Sequence, residues 1–141
     1  MRRFVLDASI VLTWCFPDEH ADKAQYALSL LQQEGEAVAT SFWPIEILNA
    51  LLMGERRQRI TQPLIQSFLA DLQKLPVHLD VAFHDTAQIE QLARQYRLTA
   101  YDAAYLELAQ RLNIPLATLD KELLLAAPAA GVKLLPTFSD V

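Results

Sequence analysis

Apolar residues along the chain alternate between short uninterrupted runs and stretches in which they recur every three or four positions. That order is expected when buried strands are separated by covering helices. The short runs predict strands at 3–6, 36–40, 76–80 and 115–118, with a further one at 132–135. The longer periodicity predicts helices at 8–15, 20–34, 44–58, 62–74, 85–96, 101–112 and 120–126. Punctuation agrees: Gly35 closes the second helix, Pro44 suits a first helical turn, and Thr61 caps the fourth helix with Pro63 close behind. The pattern therefore predicts an α/β fold, a three-layer α/β/α sandwich around a mostly parallel central sheet. Helices 44–58 and 62–74 have no strand between them and read as a hairpin projecting from the sheet, a clip or a dimer surface. Their apolar residues Ile45, Leu48, Leu51, Leu52, Leu64, Ile65, Phe68 and Leu72 can equally be ordinary core.

Asp7, Glu46, Asp102 and Asp120 each lie where an apolar run gives way to a helical pattern. In an open α/β sheet, functional groups gather outside the carboxyl ends of the strands, where the chain order reverses. Phe4-Val5-Leu6 runs into Asp7, the segment Ile114 to Leu119 runs into Asp120, and Glu46 follows the strand-like 37–40 by a short connection. Asp102 instead opens a helix directly after a helical segment. Each acid also has an ordinary explanation. Asp7 and Asp120 can cap the helices that follow them, Glu46 can favour the dipole of its first turn, and Thr99 with Asp102 approximates a capping box. Taken together the four differ from caps, because caps scatter over both ends of a sheet whereas these can converge on one. Clustered carboxylates repel unless protons or cations intervene, and hard oxygen donors without a histidine or thiolate pair favour Mg2+ or Mn2+ over zinc.

Composition narrows the setting. The 141 residues, 52% hydrophobic and 21% charged, fit one domain over 1–141, able to bury roughly two thirds of its unfolded surface. Cys15 is the single cysteine and reads as a small core hydrophobe between Trp14 and Phe16, which makes a reducing cytoplasm the default. Arg2 and Arg3 precede an apolar stretch, but Asp7 interrupts it and Pro17-Asp18-Glu19 follows without a small-residue cleavage site, so export is not expected. No apolar stretch approaches the roughly 20 residues of a membrane span. The net charge of −5 argues at first against a nucleic-acid partner. It falls to −1 once the four acids are set aside, so one or two divalent cations would turn a repelling pocket into one that binds phosphate. Three glycines are too few for a phosphate-cradling loop, and nucleotide-binding fingerprints are absent. The histidines, His20, His78 and His84, are scattered without a zinc or triad pattern.

In order and spacing, Val5-Leu6-Asp7-Ala8-Ser9, Glu46-Ile47-Leu48-Asn49-Ala50-Leu51, Thr99-Ala100-Tyr101-Asp102-Ala103-Ala104-Tyr105-Leu106 and Ala117-Thr118-Leu119-Asp120 resemble the PIN-domain nucleases, particularly VapC toxins of bacterial toxin–antitoxin pairs. The likeness spans essentially the whole chain. It implies a Mg2+- or Mn2+-dependent endoribonuclease, commonly dimeric and restrained by a small antitoxin, with Asp7, Glu46, Asp102 and Asp120 as catalytic and metal-site residues. Ser9 and Thr118 match hydroxyl positions that would orient carboxylates or bound water. Asn49, three residues after Glu46, lies on the same helix face and is either part of the site or a solvated polar residue. Lys121 and Glu122 follow Asp120 where many relatives carry a further aspartate, which leaves the number of metal ions open.

Arg56, Arg57 and Arg59 at the end of the third helix either offset its dipole or contact RNA phosphates. Tyr101 and Tyr105 flank the third acidic motif and either stack on a base or pack the helix against the core. Two other function classes remain at this point. An aspartyl-nucleophile phosphohydrolase would also use Asp7, but would want a second acid where Ser9 stands. A catalytically idle PIN-like module would act only by binding a protein.

Overall fold

The structure, a computed structural model, describes residues 2–16, 19 and 21–136. His20, where the second helix was expected to begin, and Pro17 and Asp18 of the expected uncleaved segment lie outside them. Four strands, β1 (Arg3–Leu6), β2 (Glu36–Ala39), β3 (Val77–Leu79) and β4 (Leu116–Ala117), form an all-parallel sheet in the order β3-β2-β1-β4. The helices are α1 (Ala8–Cys15), α2 (Asp22–Gln32), α3 (Trp43–Arg56), α4 (Gln62–Leu72), α5 (Thr86–Tyr96), α6 (Ala100–Leu112) and α7 (Lys121–Ala129). One group, α1 to α3, and another, α5 to α7, pack among themselves and cover the sheet, which makes the expected α/β/α sandwich. None of these helices is long and apolar enough to cross a membrane.

β1 is central because the three residues after its exposed Arg3 accept full burial. Phe4, Val5 and Leu6 are completely inaccessible, and the strand hydrogen-bonds to β2 on one side and β4 on the other. A parallel strand covered on both faces must be apolar along its buried length, which Phe4-Val5-Leu6 satisfies. α6 supplies the matching layer, with Ala103 to Ala109 buried without a break. Consecutive strands run outward from β1 to β2 to β3, and the chain then returns to place β4 on the other side of β1. The order therefore reverses between β1 and β4, and the crevice at their carboxyl ends is the switch point of the sheet.

Three expectations need correction. The strand expected at 132–135 is, among the described residues, only an isolated parallel bridge, Leu116 to Leu134, because Leu116 alone exchanges backbone bonds with it, through the Lys133 carbonyl and the Leu135 amide. Thr61 occupies the N-cap of α4, but its side chain makes no capping bond; Pro63 does sit in the first turn. The apolar positions of the α3–α4 hairpin divide between the two readings. Leu51, Ile65 and Leu72 are core, Leu48 and Phe68 are half-buried, and Ile45, Leu52 and Leu64 are exposed.

Between α2 and β2 the chain turns tightly enough that the Gly35 amide bonds back to the Leu30 carbonyl at 2.8 Å. A Cβ at this position would stand 2.9 Å from the same oxygen, a backbone atom that cannot swing away. Gly35→Ala is therefore expected to cost about 1–3 kcal/mol, read as a lower urea midpoint with unchanged slope; an unchanged midpoint would show that the turn relaxes freely.

Candidate functional site

The two strands beside the switch point deliver the first components. Asp7 follows β1 directly and is only 5% exposed, and its amide bonds to the Ala117 carbonyl at the end of β4. Although Asp7 stands at the N-cap of α1, its side chain makes no capping bond. Its Oδ2 instead accepts from Thr118 Oγ1 at 2.6 Å and from Ser9 Oγ at 2.8 Å. Those hydroxyls in turn accept backbone donors, Thr118 Oγ1 from the Asp120 amide at 3.0 Å and Ser9 Oγ from the Leu119 amide at 2.9 Å. Each hydroxyl thus has its proton committed to Asp7, which locks the carboxylate in orientation.

Two helix starts bring the other side. Glu46 lies in the first turn of α3, and its Oε1 accepts from Tyr105 Oη at 2.5 Å. Asp102 lies in the first turn of α6, where Thr99 Oγ1 accepts from the Asp102 amide at 3.1 Å. Thr99 therefore does the capping, and its hydroxyl also pulls the Asp102 carboxyl slightly down. Asp120 is the N-cap of α7 and does act as one, its Oδ2 accepting from the Leu123 amide at 3.0 Å. The ordinary reading of an acid as a helix cap holds for Asp120 and fails for Asp7 and Asp102.

Electrostatics shows that the four acids share one region. Burial pushes the Asp7 carboxyl up, against the lowering pull of the Thr118 and Ser9 hydrogen bonds, and the charge on Asp120 adds to the rise. Burial likewise raises Glu46, with Asp7 and Asp102 contributing repulsion. Asp102 is pushed up to about 6 by burial, then by the charges of Asp120 and Asp7, and finally by Glu122. Tyr105 is held in its neutral, donating form by burial and by its bond to Glu46.

Other buried or half-buried acids are neutralised. Arg111 bridges Glu107 and Asp80, each at under 3 Å, and Arg3 and His78 both reach Glu36. Among the described residues no such cation pairs with Asp7, Glu46, Asp102 or Asp120. As placed, no three His, Cys, Asp or Glu side chains of the described residues stand close enough to hold one ion. The carboxylates form a charge cluster of hard oxygen donors rather than a finished coordination sphere. That donor set suits Mg2+ or Mn2+, and its uncompensated charge is what a divalent cation would relieve.

The remaining sequence candidates scatter. Asn49 is exposed on α3, and no hydrogen bond joins it to the acids. Arg56 reaches only Met53 Sδ at 3.8 Å. Arg59 lies 4.3 Å over the Phe16 ring and pairs with Glu19 at 3.7 Å. Arg57 and Arg59 do line a cavity of about 490 Å3 together with Ser9 and Leu119, beside the Asp7 hydroxyl network. His78 and His84 are far apart in their partners, one on Glu36 and the other on Ser41, so neither builds a triad or zinc site. Cys15 is a free, half-buried thiol, raised by desolvation. Tyr105 is fully buried, which removes it as a base-stacking residue and gives it a different part, positioning Glu46. Sequence reading passed over that part, although the three-residue step from Asp102 to Tyr105 put both on one helical face. It also passed over the charge that Glu122 adds at Asp102.

The four acids stand without a counter-charge at the switch point of a parallel α/β sandwich. The PIN domain family matches residues 4–128, and the chain belongs to that family, whose members are typically metal-dependent nucleases. Ribonuclease VapC3 of Pyrobaculum aerophilum is 29% identical over 131 residues, covering 90% of this chain and 96% of that protein. The crystal structure of PAE2754 from Pyrobaculum aerophilum matches 89% of this chain and 84% of its own, with a TM-score of 0.69 at 22% identity, which shows a common fold.

The raised Asp102 carboxyl has a consequence for stability. Its ordinary value is 3.8 and its folded value about 6, so the metal-free folded protein holds this proton more tightly than the unfolded chain does. Stability should accordingly fall as pH rises through that window, and the penalty is fully present above it. In EDTA, Asp102→Asn should gain melting temperature over the wild type as pH rises from about 4 to about 7. Parallel melting curves for the two proteins across that range would remove the repulsion argument.

Proposed function

We propose that the protein is a Mg2+- or Mn2+-dependent endoribonuclease acting as the toxin of a toxin–antitoxin pair in the cytoplasm. The observation that carries this reading is the contrast between neutralised structural acids and the four uncompensated carboxylates at the switch point. Family membership and the name of the VapC3 relative add support. A bound divalent cation supplies charge neutralisation toward the phosphodiester and lowers the pKa of an attacking water toward neutrality. Asp7, held by two hydroxyls, presents its second oxygen as a fixed donor, and Asp102 adds a carboxylate that is freed from capping its helix, since Thr99 takes that part. Tyr105 occupies one oxygen of Glu46 and so orients the other. Asp120 keeps one oxygen for its helix and one for the site.

An aspartyl-nucleophile phosphohydrolase fits less well, since the residue two positions after Asp7 is Ser9, committed to holding that carboxylate. RNA phosphates beyond the scissile one are assigned to Arg57 and Arg59 in the cavity beside Ser9. The antitoxin is assigned to the apolar groove of about 440 Å3 lined by Trp43, Ile45, Leu48, Leu69, Leu75 and Leu79, as an amphipathic helix. Pairing of two copies is part of the same reading, supported by the exposed Leu52 and Leu64.

Purified protein should cleave RNA with Mg2+ or Mn2+ and lose that activity in EDTA. Asp7→Asn or Asp102→Asn should abolish cleavage while circular dichroism is unchanged; cutting that survives excess chelator or both substitutions would defeat the metal mechanism. Thr118→Val, which removes only a hydroxyl that orients Asp7, should reduce metal affinity or activity about 10- to 100-fold. Mg2+ at about a hundredfold its Kd should add about 2.7 kcal/mol to unfolding. An unmoved melting temperature would favour the idle protein-binding module instead.

A further inference from the structure

Beside the acidic cluster, four rings meet. Phe42, the N-cap of α3, makes T-shaped contacts with Tyr101 at 5.3 Å and with Tyr105 at 5.7 Å, and a tilted contact with His84 at 6.0 Å. Tyr105 is buried and bonded to Glu46, while Tyr101 is 62% exposed and immediately precedes Asp102 in the first turn of α6. Ser41 Oγ and His84 Nε2 are 3.1 Å apart, so the imidazole too is held by a partner. Among the described residues only two aromatic side chains are exposed, Tyr101 and Phe83, and Phe83 adjoins His84 in the chain.

An exposed tyrosine ring braced by a half-buried phenylalanine needs a reason, since a core would have taken it. The framing of the rings decides what they fit. The shelf has a polar rim, with the Tyr101 hydroxyl, the Ser41 hydroxyl and the His84 ring nitrogens, and it is not a closed apolar groove. It is tied at two points to the carboxylates, through the chain from Tyr101 to Asp102 and through Tyr105 to Glu46. Flat, pre-oriented rings with hydrogen-bonding edges suit a nucleobase, which offers a π-face and polar edge atoms in the same plane. Ordering the rings before binding also limits the entropy lost on association.

We propose that Tyr101, supported by Phe42 and edged by His84, stacks an unpaired base of the bound RNA next to the scissile phosphate. This rests on the nuclease reading, because the acidic cluster is what places a phosphate beside the shelf. A duplex would keep the base in its own stack and out of reach of the ring, whereas a loop lets it turn out. Phe42 and Tyr105 are positioning residues in this arrangement, and Tyr101 is the one that touches the base.

The test uses the full-length protein with Ca2+ in place of Mg2+ and a short single-stranded RNA carrying one 2-aminopurine, whose fluorescence is quenched on stacking. Wild type should quench it and bind it more tightly than the same sequence closed into a duplex. Tyr101→Ala should lose the quenching and weaken binding on the order of tenfold, while Tyr101→Phe, which keeps the ring, should restore both. An oligonucleotide with an abasic site at the fluorescent position should bind wild type and Tyr101→Ala alike. Cleavage by wild type in Mg2+ is scored separately, so quenching that depends on Tyr101 stands even where cleavage fails. Equal quenching by wild type, Tyr101→Ala and Phe42→Leu in a protein that does cleave would overturn the stacking site and leave the nuclease reading intact. Unchanged RNA binding in Tyr101→Ala, together with an altered sedimentation coefficient, would assign the rings to contact between copies and likewise overturn it.

Discussion

A single buried carboxylate sets the terms for this molecule. Asp7 closes the central strand, and one of the two hydroxyls that hold it comes from a residue 111 positions further along the chain. The cluster therefore cannot assemble before β4 has docked beside β1. Hydrogen bonds to a charged group contribute about 1.5–3 kcal/mol each, whereas taking a carboxylate out of water costs more than two such bonds return. The upward displacement of the Asp7 carboxyl is the visible remainder of that imbalance. The apolar sheet around it, with Phe4, Val5 and Leu6 fully buried, supplies the stability against which the strain is held.

The same acids elsewhere in the fold behave differently, and the difference is informative. Glu107 is buried like Asp7, yet Arg111 meets it with two donors and carries the link on to Asp80 after β3. That arrangement joins α6 to the sheet edge and leaves no free charge. At the switch point the fold supplies hydroxyls and a phenol, which orient carboxylates without cancelling them. Orientation without neutralisation is a poor design for stability, in line with the general trade between stability and function.

α6 links these roles within a few residues. Tyr101 faces solvent, Asp102 turns to the cluster, and Tyr105 reaches Glu46 on α3, while the residues beyond are core. A shift of this helix would move a ring, a carboxylate and a positioning phenol together. Its start is defined by Thr99, and its neighbour α5 ends with Arg97 in the left-handed region, which lets the two helices follow each other through a very short connection.

Much of this was legible in the chain. The fully apolar Phe4-Val5-Leu6 and the helical periods located the strands and helices to within a few residues, because period and burial are local properties of sequence. The placement of four acids at strand ends and helix starts followed from the same periods. What local pattern could not supply was the partner of each acid. Whether Asp102 or Thr99 capped α6, whether Tyr105 faced solvent or Glu46, and whether the segment after Gly131 would extend the sheet depended on contacts between residues far apart in sequence. Hydrophobic periodicity states which face is buried, but carries no record of what lies opposite. The sequence by itself determined an α/β sandwich with an acidic mouth. Only the tertiary structure decided which carboxylates would remain without a counter-charge, because neutralisation depends on distances of a few ångströms between separate elements, and those exist only after the elements have packed.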